Sequence, residues 1–132
     1  MIGSSLAAYL LAQSAITTLV STRIDPLVLR QASAMPALVF TKISTSRPAH
    51  HGASGYGGYE VARFQIDCWA TTYAGAKALG QKVRAALEGK QGVLSGAVSV
   101  NAILFVTEFD DLEPETQKFR LIQQYDIFHN EA

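Results

Sequence analysis

The most regular pattern in the chain lies between Tyr59 and Ala70. Ala62, Phe64, Ile66, Cys68 and Ala70 alternate there with Arg63, Gln65 and Asp67. Successive side chains on a strand point to opposite faces, so this period of two predicts a strand with one apolar face. Val61 and Trp69 flank its polar face. A helical period follows at once: Tyr73, Ala76, Leu79, Val83, Ala86 and Leu87 make one stripe, and Lys77, Gln81, Arg84 and Glu88 the opposite side. Thr71 or Thr72 supplies the N-cap oxygen, and Gly89 marks the stop after Glu88.

The remaining elements are fainter. Ala8, Leu11, Ala15 and Leu19 recur at helical spacing, widened by Leu6 and Leu10, and predict one amphipathic helix over the first 22 residues, capped by Ser4 or Ser5. Its polar interruptions, Gln13, Ser14, Thr17 and Thr18, leave no run long enough to cross a bilayer, and no Lys or Arg precedes it as in a signal peptide. Around Pro26 only a short or edge strand fits, because proline removes a ladder donor. Residues 37 to 46 predict a strand, with Ala37, Val39, Thr41 and Ile43 on one face and Leu38, Phe40 and Lys42 on the other. Residues 47 to 58, with Pro48, two histidines and four glycines, predict a flexible hairpin tip. A glycine-rich stretch (Gly89, Gly92, Gly96) leads to a strand from about Val98 to Phe109. An acidic loop broken by Pro114 follows, then a last strand from Lys118 to His129 with Phe119, Leu121, Tyr125 and Ile127 on one face. The expected fold is α+β, one domain over residues 1–132. It has an antiparallel or mixed sheet of about four strands and two main helices on one face, in the order α-β-β-α-β-β.

Composition narrows the class. The chain has 132 residues, enough for one self-sufficient core and no more. Apolar residues make up 48% and charged residues only 17%, below the usual quarter, so part of the surface is expected to meet other protein. Eleven basic residues balance eleven acidic ones, which leaves no overall field to recruit nucleic acid or an anionic membrane. The balance is uneven along the chain. Residues 23 to 66 hold five bases (Arg23, Arg30, Lys42, Arg47, Arg63) against two acids (Asp25, Glu60), and the rest holds six bases against nine acids. Glu108, Asp110, Asp111, Glu113 and Glu115 fall within eight residues without a base. Such a bipolar molecule suits head-to-tail stacking; a solvated acidic loop explains the same run.

A search for chemistry yields none. Gly55-Tyr56-Gly57-Gly58 lacks the following Gly-Lys-Ser/Thr of a phosphate loop, and Gly52-Ala53-Ser54-Gly55 lacks the spacing of a nucleophile elbow. His50 and His51 are adjacent with no nearby ligand set, and His129, at the chain end, reads as exposed. Cys68 alternates into the apolar face as a small buried hydrophobe. The acidic run lacks the calcium-loop pattern. Lys77, Lys82, Arg84 and Lys90 read as a solvated helix face rather than a nucleic-acid groove. No enzyme activity, cofactor or metal is expected.

Several segments in succession carry a resemblance. They are Arg23-Ile24-Asp25-Pro26, Met35-Pro36-Ala37-Leu38-Val39-Phe40, Arg63-Phe64-Gln65-Ile66-Asp67-Cys68-Trp69-Ala70 and Thr72-Tyr73-Ala74-Gly75-Ala76-Lys77-Ala78-Leu79. Leu112-Glu113-Pro114-Glu115-Thr116, Phe119-Arg120 and Tyr125-Asp126-Ile127-Phe128-His129 complete them. In this order the chain resembles the tail-completion, or tail-terminator, proteins of long-tailed bacteriophages and gene-transfer particles. The resemblance implies a virion protein without catalysis. It would form a ring, typically a hexamer, on the last ring of the tail tube, ending tube growth and presenting a surface to head-completion proteins. Its partners would be its own copies, the major tail tube protein and a head-completion or connector protein, with DNA passing through the lumen unread. Its place would be the head–tail junction, after assembly in the bacterial cytoplasm.

Three surfaces are the expected contacts: the tip with Arg47, His50, His51 and Tyr56; the strand face with Arg63, Gln65 and Asp67; and the acidic loop with Asp110, Asp111, Glu113 and Glu115. The alternative is a small-ligand or protein-binding α+β module without catalysis, and a hydrolase fits least.

Overall fold

The alternating segment and the helix after it form the centre of the molecule. The computed structural model describes residues 2–29, 34–46, 59–95, 98–114 and 117–130. Its elements are helices α1 (Ile2–Leu11) and α2 (Ser14–Val20), strands β1 (Ile24–Pro26), β2 (Ala37–Ser46) and β3 (Tyr59–Ala70), helix α3 (Tyr73–Leu87), and strands β4 (Gly92–Ser95), β5 (Val98–Glu113) and β6 (Lys118–Asn130). The strands form one sheet in the order β1-β2-β3-β6-β5-β4. All neighbours are antiparallel except β1 and β2. The fold is therefore α+β as expected, with six described strands and three helices in place of about four and two.

The alternation in β3 fixes the layers. Ala62, Phe64, Ile66, Cys68 and Ala70 are all buried on the inner face. Across the β3–β6 ladder, Phe64 faces Tyr125, Ala62 faces Ile127 and Cys68 faces Leu121. The helices cover this face. Leu79, Val83 and Leu87 of α3 join it in one core with Leu6, Leu10, Ile16 and Val20 of α1 and α2. Thr72 is the N-cap, its hydroxyl accepting from the Gly75 amide at 3.0 Å. At the other end Gly89 adopts φ +79°, and its amide donates to the Ile103 carbonyl of β5 at 2.9 Å. The helix lies very close to the sheet. A Cβ at Gly80 would stand 2.1 Å from a Leu121 methyl.

Several expectations are corrected. The first 22 residues form two helices bent by 83°, not one, and Ser4 and Ser5 lie inside α1 rather than capping it. The buried stripe is Ile2, Leu6 and Leu10, then Ile16 and Val20, whereas Ala8, Leu11 and Ala15 are exposed. The larger side chains win the core, and the break near Gln13 resets the phase. Among the described residues no single helix is long and apolar enough to cross a membrane. Tyr73 is 49% exposed rather than part of the α3 stripe; it packs edge-on to Phe119. The glycine-rich stretch contains β4, paired with the start of β5. The acidic run is no loop through Glu113: β5 continues to Glu113, opposite Lys118. His129 is buried, because alternation from Tyr125 and Ile127 carries it to the inner face, where its Nε2 lies 3.7 Å from Glu60. The expected tip at 47–58 lies outside the described residues.

Candidate interaction surface

The outer face of the same strands carries the polar side chains that alternation sends away from the core. One row across it runs Asp25, Val39, Asp67, Ile122 and Phe109, and the next runs Ala37, Trp69, Arg120 and Asp111. Arg63 and Asp126 face each other in mid-sheet. The guanidinium donates from Nε and Nη2 to the two carboxylate oxygens at 2.8 and 3.0 Å. This fork-on-fork geometry fixes both side chains. Gln65 donates to Asp67 at 2.9 Å.

Asp67 is buried, and desolvation pushes its carboxyl above the ordinary value, opposed by the Gln65 and Arg120 donors. Arg120 reaches Asp67 at 3.5 Å, bonds Asp111 and lies over the Trp69 ring. One cation from β6 thus ties β3 to β5. The hydrogen bond from Arg120 holds Asp111 below the usual carboxylate range.

Asp110 points to the inner side. Lys77 of α3 approaches it at 2.9 Å and the Tyr73 hydroxyl donates at 3.1 Å, so its pKa is lowered, chiefly by Lys77. Asp110 and Asp111, expected to await an outside partner, thus have partners within the chain. Of the expected contact residues, Arg63, Gln65, Asp67 and Asp111 share the outer face, and Asp110 lies on the other. Glu113 pairs in register with Lys118. Arg47, His50, His51, Tyr56 and Glu115 lie outside the described residues.

Sequence reasoning missed Gln123, fully buried beneath α3. Its amide nitrogen donates to the Gly80 carbonyl at 3.0 Å and to Glu108 at 2.9 Å, and its oxygen accepts from the Tyr125 hydroxyl at 2.8 Å. The signal was present, since Gln123 stands between Leu121 and Tyr125 at an inward position. This network fastens α3 to the sheet and leaves the amide no free group for chemistry. Cys68 is wholly buried, and desolvation drives its thiol pKa up, which keeps it from reacting. No three His, Cys, Asp or Glu side chains converge as metal ligands among the described residues.

No curated protein matches the sequence. A chain from a structure titled virion of native gene transfer agent (GTA) particle shares the fold. It has a TM-score of 0.78 at 16% identity, over 97% of this chain and 93% of that one. The family model described as tail completion protein gp17 matches residues 4–130. The chain belongs to this tail completion family, whose members are structural tail proteins and not enzymes.

Proposed function

We propose that the protein forms a ring, most simply a hexamer, at the head-proximal end of a phage-type tail tube, where it ends tube polymerisation and joins the tail to head-completion proteins. The observation that carries this reading is the family match over residues 4–130. The shared fold with a chain of a gene-transfer-agent virion supports it. So does the low charge content of 17%, which leaves surface for neighbours.

Ring subunits contact their own copies, the tube protein and a connector protein, and DNA passes through the lumen without being read. The tip at residues 47–58 and the outer face around Arg63, Gln65 and Asp67 are the proposed contact surfaces, with the acidic strand end as a third. On the outer face the charges are already paired, so a neighbour meets fixed donors and acceptors rather than loose side chains, which favours register over raw affinity. Gold-labelled antibody against the protein should mark the head–tail junction of intact particles. Label along the tube or at the distal tip would overturn the reading. Replacing residues 48–57 with an Asn-Gly turn should leave the fold intact and abolish head or tail attachment; unchanged titre would remove the tip from the contact set.

A further inference from the structure

The two sides of the sheet end in different ways. On β2, strand β1 pairs only with Leu38 to Phe40, and the Leu27 amide caps the Phe40 carbonyl. Thr41 to Ser46 have no second neighbour among the described strands. On β5, strand β4 reaches only Val98 to Val100, and Gly89 caps Ile103. Leu104 to Glu113 have no neighbour on one side among the described strands, with β6 on the other. A long open edge carrying large apolar side chains is what proteins usually avoid, by charge, proline or extreme shortness. This one has no Lys or Arg from Val98 to Gln117, and it carries the exposed Leu104, Val106, Phe109 and Leu112. The β2 run exposes Ile43.

We propose that copies of this chain join edge to edge, the open run of β5 in one copy pairing antiparallel with the open run of β2 in the next. The inference rests on the ring reading and names its seam. Strand direction supports it. From β2 to β5 the chain reverses at each of three antiparallel neighbours, so β5 runs opposite to β2. A rotation that keeps strand direction therefore brings β5 against the neighbour's β2 as an antiparallel pair. Such a head-to-tail contact uses two different edges, and it makes a ring where the rotation between copies closes. Charge agrees. Asp110 and Asp111 on the β5 run already bind Lys77 and Arg120, so Glu113 is the acid that this pairing brings beside Lys42 of the β2 run.

Geometry sets the offset. The ladders place Thr41 level with Thr107, so setting Thr41 against Glu113, where the neighbour's β1 clears the end of β5, shifts copies by about six residues, ~20 Å. The strands β2, β3, β6 and β5 between one seam and the next span ~19 Å. The ratio corresponds to a strand tilt near 45°, about the upper end of the range for closed sheets.

Cysteine pairs test the seam in the full chain, loaded onto tails from a strain that lacks the protein. Ser46→Cys combined in one chain with Phe109→Cys, or Ser44→Cys with Asp111→Cys, the residues this offset sets opposite each other once the β2 bulge between Lys42 and Ser44 is counted, should give, under mild oxidant, a ladder of covalent oligomers. Each single variant should stay monomeric, since Cys68 is buried. Rings visible on tail ends without a ladder from either pair overturn the edge seam and leave the ring reading standing. Absence of both rings and ladder overturns both. Covalent dimers that extend no further mean a symmetric contact and also overturn the inference. Val106→Lys with Phe109→Lys should cut ring assembly at least tenfold while the monomer melts as before; undiminished assembly counts against the seam.

Discussion

The two faces of the β3–β6 pair are built from alternate residues of the same strands, yet they solve opposite problems. Inward, Phe64, Ile66, Cys68, Leu121, Tyr125 and Ile127 are closed under the helices, and the buried amide of Gln123 has its groups satisfied by Gly80, Glu108 and Tyr125. Outward, Arg63 with Asp126 and Arg120 with Asp111 are tied in pairs that remain partly open to water, and Arg120 also reaches the buried Asp67. Burial of apolar area supplies the stability of the first. Exposed ion pairs supply little stability, so the value of the second lies in presenting a fixed polar pattern. The fold is held on one face and shown on the other.

This contrast breaks most visibly from the inside. Phe64→Ala should lower stability by about 3–5 kcal/mol, read by denaturant unfolding, since a fully buried ring leaves a cavity. Gln123→Ala should cost about 1–3 kcal/mol, because Tyr125 and the Gly80 carbonyl lose their buried partner; a smaller loss than an apolar deletion such as Leu79→Ala is expected. Arg63→Ala should barely move the melting temperature yet reduce assembly onto tails, and a large melting shift with normal assembly would reverse the assignment of the two faces.

Acid should have the smallest effect. Lys77 and Arg120 hold Asp110 and Asp111 below the ordinary carboxylate value. Their contribution is therefore present above about pH 4, the unfolded-state value, and is lost as pH falls through the lower folded values. Burial raises Asp67, so its protonation on acidification works the other way. Asp110→Asn with Asp111→Asn should flatten the fall in melting temperature below pH 4.

Legibility followed the same division. β3 and α3 were readable because large apolar and polar residues alternate at one period, and Thr72 and Gly89 bracket the helix. α1 and α2 were misphased because the segment holds no charge to mark its outer side, so small and large apolar residues looked alike. Asp110 and Asp111 looked like a loop because their partners, Lys77 and Arg120, come from other elements and strand pairing alone brings them together. His129 looked exposed from its place near the end of the chain, although its parity with Ile127 pointed inward. The open edges were beyond reach, since which strand lacks a neighbour is a property of the sheet order and of no local pattern.

Electron microscopy of particles from a producing strain with this gene deleted tests the terminator role most directly. Loss of a terminator should leave filled heads beside unattached tails, the tails irregular or excessive in length. Normally joined particles with tails of ordinary length would contradict that role.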